Sequence, residues 1–337
     1  MKVQQSIREA YVEASSFLKQ HDVMEPESNA RLLLEWVLGL SGAAYYMALP
    51  EPFPQDKCEI WEHVIQRKAA GEPAQYIIGE QEFYGEVFIV TPSVLIPRPE
   101  TELLVESVTK LAADLAFSQV EQELPDNNDT DLAHSAGDYI HSEDTDAIIQ
   151  QGITDMQSQN WQSDTTSNHA HRPVCVDIGT GSGAIALTLA RMMPDWDIWA
   201  SDISLDALQV ARQNSERQQT PIHWEQGNLL EPFAGRRVDI VVSNPPYIPD
   251  DDIAGLQPEV RLHEPLSALA GGPDGLGPYR IMMEQLSLLS GLPAMVAFEL
   301  GQGQAQDVAD MVRTAGYDQI HIIKDLAGIE RHVIGML

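Results

Sequence analysis

The sequence predicts a doubly wound α/β sheet preceded by a small helical domain, on three observations. From residue 174 onward, short β-branched runs alternate with amphipathic helical stretches, the pattern of a largely parallel sheet clothed in helices. Up to Gly71, apolar residues recur at helical spacing with no strand-like run among them. A glycine-rich turn, Gly179-Thr180-Gly181-Ser182-Gly183, joins the first strand of the alternating region to its first helix. At 337 residues the chain suits one medium domain plus a smaller one. The expected boundaries are a helical domain at 1–73, a β-hairpin linker at 74–95 and a main domain at 96–337, interrupted by an acidic insertion at 118–172.

In chain order, Ile7, Tyr11, Ala14 and Leu18 lie on one helical face, and Ala30, Leu33, Leu34, Val37 and Leu38 on another, with Pro26 opening that second helix. A third helix is expected over 56–68. Tyr76-Ile77-Ile78, Phe83-Tyr84-Gly85 and the run 87–90 read as strands, punctuated by Gly79 and Gly85. In Pro97-Arg98-Pro99 the prolines hold Arg98 extended, and Pro99 suits the first position of a helix through Leu103, Leu104, Val108 and Leu111. Arg98 held in this way suits either clamping a carboxylate or capping a neighbouring element.

The segment 118–172 carries many Asp and Glu residues and no Lys or Arg before Arg172. It buries too little apolar surface to offset its ordering entropy and reads as disordered, with helix-like spacing only at 147–153. His134, His141, His169 and His171 fall there at irregular spacing and do not form a metal-ligand pattern; His21 and His63 are isolated. Beyond it, strands are expected at 174–178, 198–202, 222–226, 238–243, 294–300, 319–324 and 331–336. The intervening helices are expected at 184–193, after the cap Ser204, at 279–289 and at 304–314.

The formal charge of −31 argues against a nucleic-acid surface, which needs clustered Lys and Arg, and favours a basic or neutral protein partner. The two cysteines, Cys58 and Cys175, have neither disulfide nor metal spacing, as in a reducing cytoplasm. No stretch approaches the ~18 apolar residues of a membrane span, and Arg8, Glu9 and Glu13 stand where a signal peptide needs an apolar run. A cytoplasmic protein without membrane contact is therefore expected.

Two loops carry the chemistry. Glycines at alternate positions let a ligand approach the backbone closely, and Asp202, roughly 20 residues on at the end of the next strand, is placed to accept from ribose hydroxyls. That pattern alone admits a dinucleotide or S-adenosylmethionine. Asn244-Pro245-Pro246-Tyr247 ends a strand where ligands of open sheets bind. Its prolines remove backbone donors and leave carbonyls unquenched, so with the Asn244 amide and the Tyr247 ring it suits a planar NH2 group of an amide or a nucleobase.

Together, Asp177-x-Gly179-x-Gly181-x-Gly183 and Asn-Pro-Pro-Tyr resemble class I methyltransferases acting on planar nitrogens. Longer blocks are similar to the bacterial release factor glutamine methyltransferase family: Gly71-Glu72-Pro73-Ala74-Gln75-Tyr76, Glu82-Phe83-Tyr84-Gly85, Pro97-Arg98-Pro99-Glu100-Thr101, Glu259-Val260-Arg261, and Gly271-Gly272-Pro273-Asp274-Gly275-Leu276. Pro97 to Thr101 is the most specific of them, because the related ribosomal-protein enzyme departs from the pattern there. The resemblance implies a Rossmann-like methyltransferase domain behind a helical recognition domain, S-adenosylmethionine as cofactor, and N5-methylation of the glutamine in the Gly-Gly-Gln loop of class I peptide-chain release factors. It places Gly179, Thr180, Gly181, Ser182 and Gly183 at the methionine end of the cofactor, Asp202 at the ribose, Asn228 and Leu229 at the adenine edge, and Asn244 beside the cofactor as well as the acceptor. Leu229 departs from relatives with an aromatic residue there, and the insertion departs from an expected short connection.

The mechanism this implies has the Asn244 side-chain oxygen and the Pro245 carbonyl accepting the two amide hydrogens while Tyr247 covers the amide plane. The rival readings are glutamine methylation of a ribosomal protein, adenine-N6 methylation of DNA after base flipping, and a non-enzymatic scaffold.

Overall fold

The structure is a computed structural model that describes residues 5–123 and 172–337. Most of the acidic insertion, with its expected short helix at 147–153 and the four histidines, lies outside the described residues.

Local chemistry explains the helical start. Helix α1 (Ile7–Gln20) opens with a capping box: Glu9 N donates to Ser6 Oγ (3.2 Å) and Ser6 N donates to Glu9 Oε2 (2.7 Å). Helices α2 (Pro26–Leu38), the short α3 (Gly42–Ala48) and α4 (Cys58–Ala69) follow, and Leu18, Leu33, Leu34 and Val64 bury into one core between them. The expected strand at Tyr76 is instead helix α5 (Ala74–Ile78). The Pro73 carbonyl accepts from Tyr76 N and Ile77 N, Gly79 closes the turn at φ 84°, and Ala74 and Ile77 join the bundle core. Tertiary burial overrides the β-propensity of this triplet.

The hairpin is real but shorter than expected, with β1 (Glu80–Phe83) paired antiparallel to β2 (Glu86–Ile89). Its turn residues Tyr84 and Gly85 have φ 51° and 75°, the left-handed pair that matches strand twist in a two-residue loop. Asn214 fastens the hairpin to the main domain, accepting from Ile89 N (2.7 Å) and donating to Ile89 O (3.0 Å) and Ser182 O (2.9 Å).

Helix α6 (Pro99–Glu123) runs past residue 118, where composition places the start of the insertion. After it come β3 (Val174–Ile178), α7 (Ala184–Met192), β4 (Asp197–Asp202), α8 (Leu205–Gln218), β5 (His223–Gln226), β6 (Ile240–Ser243), α9 (Pro258–His263), α10 (Gly277–Gln285), β7 (Met295–Glu299), α11 (Ala305–Thr314), β8 (Gln319–Lys324) and β9 (Glu330–Met336). The sheet order is β5-β4-β3-β6-β7-β9-β8. Strands β5 to β7 in that order are parallel, whereas β9 runs antiparallel to both β7 and β8. The chain moves outward from β3 through β4 to β5, then returns to place β6 on the other side of β3. The crevice at the carboxyl ends of β3 and β6 is thus the point where strand order reverses, the favoured ligand position in such sheets. Strands β6 and β7 are buried along their whole length, as central strands covered on both faces must be.

The bundle and the sheet belong to one compact unit, comprising residues up to Ala113 and from Arg172 onward. Among the described residues, no helix is long and apolar enough to cross a membrane, and no cluster of His, Cys, Asp and Glu could hold a metal ion.

Candidate active site

Sheet register assembles the site. Ser201, Ile178, Ser243 and Phe298 lie in one row across β4, β3, β6 and β7, so the next row contains Asp202, Gly179, Asn244 and Glu299. Ser243 Oγ donates to Ile178 O (2.7 Å) and pins the ends of β3 and β6 together. A cavity of about 460 Å³ opens above this row, lined by Gly179, Thr180, Gly181, Ser182, Asp202, Asn228, Leu229, Asn244 and Pro246 among others.

The glycine turn is shaped by conformation on its open side and by packing behind. Gly179 and Gly181 have φ 70° and 56°, and a Cβ on either would meet nothing within 4 Å. Gly183 differs: its Cβ would press on Ala211, Leu187 and Trp224 at 3.3 Å each, and it does not line the cavity. It packs where the turn meets helix α8. Thr180 Oγ1 and Ala186 N donate to Asp177 Oδ2 (2.6 and 3.2 Å), which holds the turn from below. Burial pushes the Asp177 carboxyl up to about 7, and its Oδ1 has no hydrogen-bond partner.

Asp202 faces the cavity while accepting from Gly181 N through Oδ2 and from Ser204 N through Oδ1, both at 2.9 Å. These bonds fix the carboxylate plane and leave each oxygen further lone pairs for ribose hydroxyls. Burial raises the Asp202 pKa against the lowering effect of those backbone donors. Asn228 and Leu229 form the far wall, with Leu229 at φ 54°. Volume, the open glycine turn and an acceptor carboxylate one strand away fit the size and polarity of S-adenosylmethionine.

At the end of β6, Asn244 Nδ2 donates to Thr101 Oγ1 (3.2 Å). Pro245 is buried, and neither it nor Tyr247 is among the cavity-lining residues. Tyr247 packs against the sheet core, and burial, then the nearby Glu299 carboxylate, pushes its hydroxyl up to about 12. The loop 269–275 supports the tetrapeptide from behind. Ile248 N donates to Leu269 O (3.0 Å), Gly271 N to Ile248 O (2.9 Å), and Gln304 Nε2 to Tyr247 O (2.9 Å). A Cβ on Gly271 would stand 2.7 Å from Pro246 O, and one on Gly275 would stand 2.2 Å from Tyr247 O. Arg98 Nη2 donates to Glu264 Oε1 (2.5 Å), the residue that ends α9, so Arg98 holds a neighbouring element of its own chain.

Sequence reading missed Thr101, Gly271, Gly275 and Gln304 as parts of the site. Three of them lie in blocks it had singled out by resemblance, but their contacts cross long stretches of chain and leave no local signal.

Residues 154–256 match the methyltransferase small domain and residues 9–79 match the PrmC N-terminal domain. With the sheet order described above, the first match makes this a class I methyltransferase fold. Three relatives named release factor glutamine methyltransferase align along nearly the whole chain. The one from Bacillus subtilis is 34% identical over 98% of this chain and 98% of its own, that from Moorella thermoacetica 34% over 97% and 96%, and that from Geobacter sulfurreducens 33% over 92% and 90%. The chain belongs to the release factor glutamine methyltransferase family. Overlap with solved structures is looser: a ribosomal protein L11 methylase from Lactobacillus delbrueckii subsp. bulgaricus is 19% identical, covers 50% of this chain and 72% of that one, and reaches a TM-score of 0.34, too low to bear on the argument.

Proposed function

We propose that the protein methylates the side-chain nitrogen of the glutamine in the Gly-Gly-Gln loop of class I peptide-chain release factors, in the cytoplasm, without binding nucleic acid or membrane directly. The observation that supports this reading most is the single row Asp202, Gly179, Asn244, at adjacent strand ends around one cavity. S-adenosylmethionine, when bound, supplies an electrophilic methyl group. Gly179, Thr180, Gly181, Ser182 and Gly183 would hold its methionine end, Asp202 would accept from its ribose, and Asn228 and Leu229 would flank its adenine.

An amide nitrogen is a weak nucleophile because its lone pair is shared with the carbonyl. Asn244 Oδ1 and the Pro245 carbonyl accept its two hydrogens, turn the lone pair toward the methyl group and favour positive charge developing on nitrogen. Tyr247 covers the amide plane once the acceptor is seated. The proton leaves after transfer, when the nitrogen has become strongly acidic, so no dedicated base is required.

A protein acceptor is favoured over adenine by the cavity's charge. Among the described residues, Arg98 is the one cation lining it, and it is already paired with Glu264, whereas DNA would need free cations for its phosphates. The test is mass spectrometry of the Gly-Gly-Gln peptide after incubating release factor with the protein and S-adenosylmethionine. One added methyl group on that glutamine is expected, and Asn244→Ala should lower its rate of formation by an amount equivalent to roughly 2–4 kcal/mol. Methyl transfer to DNA or to a ribosomal protein instead would overturn the substrate assignment.

A further inference from the structure

We propose that the turn opening α6 braces the acceptor site, with Thr101 as the positioning residue that holds the Asn244 amide with its oxygen toward the substrate; the kinetic part of this proposal rests on the function proposed above. An asparagine amide has two ends of nearly equal shape, a pair of donors and an acceptor, which a half-turn of the terminal torsion exchanges. An acceptor nitrogen bearing two hydrogens is useful only to the oxygen end, because the NH2 end would set donors against donors. The prolines at 245 and 246 constrain the main chain after Asn244 and leave this torsion undetermined.

A threonine hydroxyl can meet either end of an amide, and here, from 143 residues away in the sequence, Thr101 meets the NH2 end. Among the described residues, the one hydrogen bond of the Asn244 side chain runs from Nδ2 to Thr101 Oγ1, leaving Oδ1 for the substrate. Thr101 is 4% exposed, and its own N–H donates to Arg98 O (3.1 Å). The helix behind it is seated by Leu104, Val105 and Val108, all fully buried. Pro99 opens that helix, and Arg98, just before it, holds Glu264 at the head of the cavity wall formed by Pro265, Ser267, Ala268 and Ala270. One turn therefore holds both the Asn244 amide and Glu264 beside the cavity wall. This gives a physical reason for the block Pro97-Arg98-Pro99-Glu100-Thr101, which the catalytic scheme leaves without a task.

Thr101→Val keeps the side-chain shape and removes the hydrogen-bonding oxygen. It should lower kcat about tenfold, the scale of one lost hydrogen bond, while the affinity for S-adenosylmethionine by calorimetry and KM for the release factor stay unchanged. Thr101→Ser should restore kcat. Wild-type kcat in the valine variant, or equal losses in the valine and serine variants, would overturn the brace. A second readout needs no turnover. The Asn244 side-chain NH2 resonances in 15N-labelled protein should shift and exchange faster with water in Thr101→Val, and unchanged resonances would also overturn it. If the valine variant does not fold, Thr101→Ala is read in the same way. Should the wild-type protein leave release factor unmethylated, the functional assignment falls and the resonance comparison alone decides the role of Thr101.

Discussion

Asp177 shows how much a single carboxylate bears on this site. It is fully buried, organises the glycine turn through Thr180 and Ala186, and leaves Oδ1 without a partner. Burial lifts its pKa from the ordinary 3.8 to about 7, with repulsion from Asp202 adding to the lift. A carboxyl whose pKa is higher in the folded state costs nothing below the unfolded value, and its cost grows as pH rises until the folded value is passed. The destabilisation therefore accumulates between 3.8 and about 7 and is complete above that. Asp177→Asn keeps an acceptor for Thr180 and removes the charge. Its melting temperature should exceed that of the wild type by a wider margin at about pH 8 than at about pH 5. A margin that does not change with pH in scanning calorimetry would refute the role given to ionisation. At this scale the sequence made the strand-end residues legible, because Gly179 and Asn244 each follow a β-branched run directly and Asp202 closes the strand between the next two helices. Thr101 and Gln304 were not legible, since nothing near them in the chain states what they touch.

At the scale of elements, α4 and α9 are joined by a pair that periodicity could not reveal. Lys68 is almost fully buried on the bundle, and its ammonium meets the Glu259 carboxylate of α9. Taking the charge from Glu259 leaves a buried cation with a neutral partner, so Glu259→Gln should destabilise the protein by roughly 1–3 kcal/mol in urea unfolding, with Glu259 partly solvated. Lys68→Met combined with Glu259→Leu should recover most of that loss, because an apolar pair of similar volume removes both desolvation costs. A double variant weaker than the single one would sink this account. The strongly amphipathic elements α1, α2 and α11 were readable from their spacing. Helix α5 was not, since Tyr76-Ile77-Ile78 has strand propensity and only its burial site decides. The reversal of β9 was hidden for another reason: a period of two residues marks a strand and is silent about its direction.

For the whole molecule the dominant quantity is charge, with 51 acidic residues against 20 Lys and Arg. Self-repulsion of that size opposes the compact state, and salt screens it over about 8–10 Å at physiological strength. The surface ion pairs, such as Arg217 with Glu80 and Arg313 with Asp310, respond in the opposite sense but are each worth little. The melting temperature should therefore rise as sodium chloride increases from about 0.01 to about 0.2 M. A fall would mean that specific ion pairs outweigh the net repulsion. The doubly wound architecture and the helical start were legible at this scale from alternation and spacing. The close union of bundle and sheet in one unit was not, because it depends on long-range pairs such as Lys68 with Glu259.

The glycines around the cavity divide into two kinds with different evolutionary freedom. Gly179 and Gly181 have room beside them, and what excludes other residues there is backbone handedness, which an asparagine can sometimes meet. Gly271 has an ordinary backbone conformation, and what excludes other residues is the carbonyl of Pro246 pressed against it. Drift at the glycine turn can therefore pass through asparagine intermediates that keep the fold. At residue 271 the first added carbon would displace the Asn-Pro-Pro-Tyr loop itself, so that position offers no gradual path to a larger side chain.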